Sequence, residues 1–502
     1  MEMERNKKLI LNTLSSFTNQ IVTVICGFIV PRLILNHYGS CVNGLIGSIS
    51  QFLGIVTFLE LGMGSVVQSA LYSPLANNNS EKISAVYCSG FKFFKKIAYI
   101  LLLYVFVLAC FYPCFVSPKF GWIYTSTLII AMSISSFVQY YFGLMDQLLL
   151  NADQRGYVHY FTQSITIILN AIVSYLLIYL NFPIQLVKLM TSIIYIIRPF
   201  VLRTYVNNHY KINRNISYIK EPISQKWNGL SQHIAAVVLD GTDSIVLSLF
   251  STLENVSIYS VYHLVISGIK QLFMSLTNGL QSLIGEMWAK DDKKELKTMF
   301  EYMEWFIHFL TNFIFGCTIV LIVPFVKVYT LGINDADYIQ FNFAFLLVIA
   351  NAMHCYRLPY NMMVLAAGHY KQTQNNYIIV ALINIIVSII AVKKFGLVGV
   401  AIGTLIALTY QTLWLSFYNS KNLIKCQFKK TLKLFAIDAL SIFLLICLCT
   451  SINMNVSTFC SWALKGFFVS IINITLLIII NIFFYKKNIC HFINSLKKHI
   501  KI

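Results

Sequence analysis

Charge is scarce in this chain, and negative charge most of all. Asp and Glu number 19 against 38 Lys and Arg in 502 residues, and charged side chains make up only 11%. Soluble domains carry about a quarter of their residues as charge, so a water-facing surface of ordinary extent is excluded. Metal-ligand spacing is also missing. The twelve cysteines show no C-x-x-C pair and no Cys/His pattern, and most, such as Cys26, Cys110, Cys447 and Cys449, lie in apolar runs as small packing residues. His233 and His263 are isolated, which suits packing or cavity lining. There is no glycine-rich phosphate loop, no Ser/His/Asp set and no catalytic carboxylate pair. ATP hydrolysis has no visible machinery, and the chain reads as a non-enzyme without a cofactor. The start MEMERNKK precedes an apolar run from Leu9 to Leu35 that is too long for a signal h-region and lacks a cleavage site. The run reads as a first spanning helix.

Long apolar runs are what the chain has instead. Mean hydropathy is +0.70, and runs of about 18 or more apolar residues recur, each able to cross about 30 Å of hydrocarbon. They place fourteen spans near 11–35, 45–69, 94–116, 122–146, 158–180, 184–206, 229–250, 257–283, 301–326, 340–363, 375–392, 397–418, 434–451 and 462–485. The expected fold class is an all-α polytopic membrane protein.

The net charge of +19 could suggest a nucleic-acid patch, but its placement argues otherwise. With the N-terminus inside, 28 of the 38 basic residues fall on cytoplasmic segments, and only Lys119, Lys327, Lys393 and Lys394 on outer loops. That is the positive-inside asymmetry, with both termini cytoplasmic. The positive charge is a topology signal, and no nucleic-acid partner is expected. The outer loops are too short to hold a folded domain, which argues against a membrane polymerase or glycosyltransferase.

A weak repeat recurs at an offset of 214 residues. LNAIVS (Leu169 to Ser174) sits over INIIVS (Ile383 to Ser388), and Ala152 over Ala366. Six spans, a basic linker and six more in the same register imply a parallel repeat, with lobes at 1–220 and 221–420. Two further helices and a basic tail follow at 421–502. Two such lobes form a transporter plan, with substrate held near mid-membrane and exposed alternately to each side.

Charge inside a span is costly and marks a pathway or a pair. Near span centres lie Arg198, Lys270, Asp240 and Glu60; Arg32 lies toward an outer end and Arg357 toward a cytoplasmic end. Asp146, at the end of span four, reads as interfacial. Pro31, Pro199 and Pro359 stand close to the three arginines, and a proline frees a carbonyl and bends a cavity-lining helix. Arg32, Arg198, Lys270 and Arg357 are therefore candidates to bind an anionic substrate such as a pyrophosphate, with arginine forks gripping phosphate oxygens. The alternative is that they neutralise Glu60, Asp240 and Asp243 in buried pairs. Asp240 and Asp243 share a helix face and are candidates for charge balance or for carrying a coupling proton or sodium ion.

Several strings resemble Wzx-type oligosaccharide flippases: FIVPRLILNHYG (Phe28 to Gly39), GLIGSISQFL (Gly44 to Leu53), LELGMGSVVQSALYSPLA (Leu59 to Ala76), LLLNADQRGYV (Leu148 to Val158) and DGTDSIVLSLF (Asp240 to Phe250). That family belongs to the superfamily that includes lipid II flippases and MATE exporters. Arg32, Asp240 and Asp243 fall in the matching segments. The resemblance implies a two-lobed fourteen-helix fold with a cationic cavity. It implies a polyprenyl-pyrophosphate-linked oligosaccharide as substrate, moved across a bacterial cytoplasmic membrane. Membrane lipid is then a further partner, as are the polysaccharide polymerase and glycosyltransferases of the same pathway. The competing expectation is a MATE-like, ion-coupled multidrug exporter, whose site should be net acidic.

Overall fold

The structure, a computed structural model, describes residues 2–115, 120–214, 230–289, 293–424, 427–450, 454–486 and 488. Among them the chain is helical between short turns. The first helices are α1 (Glu2–Gly54), α2 (Thr57–Ala76), α3 (Ser80–Phe115), α4 (Trp122–Val138), α5 (Leu144–Ala152), α6 (Gly156–Tyr179), α7 (Ile184–His209) and α8 (Leu230–Phe250). Then come α9 (Leu253–Ala289), α10 (Lys293–Tyr329), α11 (Phe341–Tyr356), α12 (Leu358–Ala366), α13 (Tyr370–Phe395), α14 (Leu397–Tyr418), α15 (Phe428–Thr450) and α16 (Phe459–Phe484). Single π-helical turns occupy Gln139–Gly143 and Asn419–Leu423.

Among the described residues sixteen helices make fourteen passes, because some passes are broken and one helix is two. Gly39 takes φ 81°, a conformation side chains resist, and divides α1 into the first pass and the start of the second. The second continues into α2. The fourth pass joins α4, the π turn and α5; the tenth joins α11 and α12. By length and apolarity alone, 11 helices among the described residues can cross a membrane. Helix α3 shows what surrounds them. Phe94, Ile97, Ala98, Leu101 and Leu108 form its buried stripe, yet the opposite face is Tyr99, Leu102, Leu103 and Phe106, all more than half exposed. A helix apolar all round faces protein on one side and lipid on the other.

Contacts divide the chain into two units. The first comprises Met1–Val237 and Thr252–Ser257, the second Val238–Ser251 and Ile258–Ile502.

In the first unit, Ile34, Leu45, Ile49, Leu128 and Val187 pack one cluster, and Val67, Tyr87, Phe94, Met145, Leu149 and Leu202 another. The start of α9 belongs here: a Cβ on Gly44 would lie 1.8 Å from the Leu253 carbonyl oxygen, and Asn43 Nδ2 donates to Ser257 Oγ at 2.8 Å. The LLLNADQRGYV string forms the α5–α6 turn, with Gln154 at φ 57°. Asn12 Nδ2 donates to the Gln154 carbonyl at 2.8 Å, and Asn12 Oδ1 accepts from the Tyr157 N–H at 2.7 Å. Asp153 pairs with Arg155 at 2.8 Å and accepts from the Tyr210 hydroxyl at 2.5 Å. Burial first, and then the Asp153 carboxylate, push that hydroxyl above the usual phenol range. Asp146 lies on α5. It is fully buried and accepts from Tyr87 Oη at 2.6 Å, because α5 turns its carboxylate toward α3 and into the field of Arg203 and Arg214.

In the second unit, the turn after α12 repeats the turn after α5 one offset later: Gly368 has φ 68° where Gln154 has 57°. The break at Arg357 likewise falls 214 residues after Gly143, which ends the π turn. Helices α13 and α14 form a tight hairpin turned at Gly396, φ 53°. A Cβ on Gly399 would lie 2.4 Å from the Ala391 carbonyl. Overpacking of this kind costs about 1–3 kcal/mol, so Gly399→Val is expected to lower the thermal midpoint of the purified protein. An unchanged midpoint would contradict the close approach.

Helices α15 and α16 are more than an addition. Asp438 accepts from Asn312 Nδ2 at 2.5 Å and pairs with His308 Nδ1 at 2.5 Å; Tyr356 Oη donates to Asn312 Oδ1 at 2.9 Å. Glu304 accepts from Tyr360 at 2.7 Å and Thr431 at 2.9 Å. On α16, Asn481 Oδ1 accepts from Trp305 Nε1 at 2.7 Å. These buried groups bind α15 and α16 to α10, α11 and α12 through polar contacts, with His308 Nε2 the atom of that histidine left without a partner.

Candidate functional site

Helix α7 carries the first cation. Its chain enters through Pro183 and is interrupted at Pro199, which supplies no N–H to the ladder. The fourth pass accommodates Pro199 at its π turn: a Cβ on Gly143 would lie 2.6 Å from Pro199 Cβ. A π turn adds a residue to one coil and often marks a functional site. Here it seats the proline and thereby fixes the next residue back, Arg198.

Arg198 Nε donates to Thr166 Oγ1 on α6 at 2.6 Å, and its guanidinium lies 3.9 Å over the Tyr195 ring. Tyr195 Oη in turn accepts from Asn170 Nδ2 at 3.3 Å. The remaining fork is the informative part. Arg198 Nη2 is buried and has no hydrogen-bond partner, and among the described residues no carboxylate pairs with this side chain. A buried charged donor left unmade is expensive. The arrangement holds one face of the guanidinium with neutral groups and leaves its other donors for an anion.

Arg203, counted from sequence among the cytoplasmic cations, lies within α7. Its guanidinium sits 5.5 Å from the Phe142 ring and 5.8 Å from that of Phe91, and Nη1 is buried without a partner.

In the second unit Arg357 occupies the break between α11 and α12, 6% exposed. It donates to Gln411 Oε1 and lies 3.1 Å from His354 Nδ1. The charges of both Lys270 and Arg357 reach His354 and Cys355, which puts the α9 lysine within electrostatic range of that stretch of α11. Two of the sequence candidates thus converge. Arg32 stands beside Pro31 on α1, part-buried, with Gly39 downstream. The side chains of Glu60 and Asp240 lie outside the described residues.

Asp243, 3% exposed on α8, faces α13 and α14. Thr404 Oγ1 lies 2.7 and 2.8 Å from its two oxygens, and Tyr259 Oη lies 3.4 Å away. Asn384 Nδ2 donates to Thr404 Oγ1 at 3.0 Å. Two further oxygens here, Asn384 Oδ1 and Ser388 Oγ, are buried without hydrogen-bond partners. The two Asp243 oxygens, Thr404 Oγ1, Asn384 Oδ1 and Ser388 Oγ are five oxygens, the first two sharing a formal charge and the last two unsatisfied, of the kind that suits a small hard cation. Three of these residues escaped the sequence reading, although INIIVS already contained Asn384 and Ser388. Neutral oxygens give no composition signal. Glu304, His308 and Asp438 were missed too, and Asp438 obeyed the very rule used for Asp240: an acid within an apolar run.

No family model matches the chain, and no curated relative does. Solved structures do. A lipid II flippase, MurJ, in an inward closed conformation aligns at TM-score 0.71 and 18% identity, covering 96% of this chain and 100% of its own. An inward-facing multidrug resistance MATE family transporter of the MOP superfamily aligns at 0.60 and 16%, covering 82% and 96%. The eukaryotic MATE transporter AtDTX14 aligns at 0.58 and 14%, covering 85% and 98%. The chain has the fold these proteins share, that of a polytopic all-α membrane protein.

Proposed function

We propose that this protein is a flippase for a polyprenyl-pyrophosphate-linked oligosaccharide, acting in a bacterial cytoplasmic membrane in surface or capsular polysaccharide assembly. The observation that carries the reading is Arg198: a membrane-embedded guanidinium held by Thr166 and Tyr195, with a buried donor unmade and, among the described residues, no carboxylate partner. Phosphate oxygens satisfy such a fork bidentately. Lys270 and Arg357 supply a second cationic set in the other unit, and Arg32 a further cation on α1. The neighbouring fold of a lipid II flippase supports the same substrate chemistry.

The sugars and pyrophosphate would cross by these cations while the polyprenyl tail stays in lipid. The polar headgroup then avoids hydrocarbon, where each unsatisfied polar group costs several kcal/mol. The lobes are assigned as 1–220 and 221–420, with 421–502 appended, both termini cytoplasmic, and alternating access as the transport cycle. A polymerase and glycosyltransferases would work with it.

We assign Asp243, Thr404, Asn384 and Ser388 to a coupling cation, sodium, because neutral oxygens on α13 and α14 accompany the carboxylate and a proton would need the carboxylate alone. Asp240, on the same helix face, and Glu60 are assigned to charge balance. An exporter of organic cations also needs a buried acid, and Asp243 is one; its enclosure by hydroxyls suits a bare ion better than a drug. Deleting the gene separates the readings. Surface polysaccharide is expected to disappear while sensitivity to cationic dyes stays unchanged. Broad dye sensitisation with intact polysaccharide would overturn the flippase.

A further inference from the structure

The stripe of α7 that bears Arg198 continues back toward the helix start. Tyr195, Thr191 and Lys188 follow at helical spacing, so all four residues share one side. Thr191 bonds its own helix, Oγ1 to the Val187 carbonyl at 3.0 Å. Lys188 is part-buried beside Ile184 and Val187, which are each 1% exposed. No hydrogen bond or ion pair involves Lys188 among the described residues.

Among the described residues no ion pair accounts for Lys188. It lies near the N-terminal end of α7, where the helix dipole opposes a cation by about 0.3–1 kcal/mol. It is ten residues from Arg198, which is about 15 Å along the helix axis. One pyrophosphate, with its two phosphorus atoms bridged by a single oxygen, cannot touch both.

We propose that Lys188 is a second phosphate station, which takes the pyrophosphate over from Arg198 as the headgroup moves along α7. The inference rests on the flippase reading above, and in the positive-inside orientation Lys188 is the outer of the two stations. The residue types suit the order. An arginine fork holds a phosphate in fixed geometry, whereas lysine is a mobile point charge that releases it more readily. Thr191 and Tyr195 lie between them with hydroxyls.

The test uses the full-length protein in proteoliposomes with a fluorescent polyprenyl-pyrophosphate disaccharide, beside binding of farnesyl pyrophosphate in detergent. Lys188→Gln and Lys188→Met are expected to slow flipping at least tenfold, while farnesyl pyrophosphate affinity and thermal midpoint stay within twofold and two degrees of the parent. Lys188→Arg is expected to keep most of the rate. Wild-type flipping by both neutral variants, with Arg198→Gln inactive, overturns the second station and leaves the flippase reading intact. Loss of affinity together with rate also overturns it, because Lys188 would then belong to the first site. Parent protein that flips the probe no faster than protein-free vesicles would sink the flippase reading itself.

Discussion

Arg198→Gln should weaken binding of farnesyl pyrophosphate about 10- to 150-fold, from the roughly 1.5–3 kcal/mol of a hydrogen bond to a charged group. Flipping should fall below detection in the same variant. The fold should survive, since among the described residues the guanidinium closes no ion pair, and Thr166 Oγ1 keeps its bond to the Thr162 carbonyl when the guanidinium is removed. Arg198→Lys should recover part of the affinity, because it keeps the charge and loses the planar fork. Titration calorimetry on the purified variants, with the thermal midpoint as control, decides the matter. A well-folded Arg198→Gln protein with parental affinity removes this residue from the substrate site.

The second large effect concerns Asp243. The parent protein should gain thermal stability in sodium chloride over choline chloride, by about 2.7 kcal/mol once sodium reaches a hundred times its dissociation constant. Asp243→Asn should abolish that difference, and Asn384→Leu or Thr404→Val should reduce it, because each deletes an oxygen from the cluster. Farnesyl pyrophosphate affinity should be unaffected by all three. A sodium response that persists in Asp243→Asn excludes this cluster. A parent that responds to pH but not to sodium would make the carboxylate a proton carrier.

Much of this was legible from the chain. Hydrophobic runs located the passes because lipid leaves no other choice for the solvent-facing residues, and the fourteen expected spans correspond to the helices observed, with α15 starting at Phe428, earlier than its apolar run. The proline rule pointed to Arg198, and the structure adds the π turn at Gln139–Gly143 that receives Pro199. That turn was not legible, since an inserted helical residue leaves no mark on hydropathy. The partner of Asp146 was not legible for a related reason. Position along a span gives depth, whereas burial depends on which way the helix is turned, and α5 turns Asp146 onto Tyr87. The polar seam of Glu304, His308 and Asp438 needed partners from distant helices before it made sense.

The central claim is that fixed intramembrane cations carry an anionic lipid-linked sugar across the bilayer. Purified protein reconstituted into vesicles, with a fluorescent polyprenyl-pyrophosphate disaccharide in the outer leaflet and dithionite added at intervals, tests it directly. The account predicts a probe fraction that becomes protected only with active protein, faster in sodium than in choline, and absent with Arg198→Gln. Equal protection in protein-free vesicles and in the Arg198→Gln preparation would contradict it.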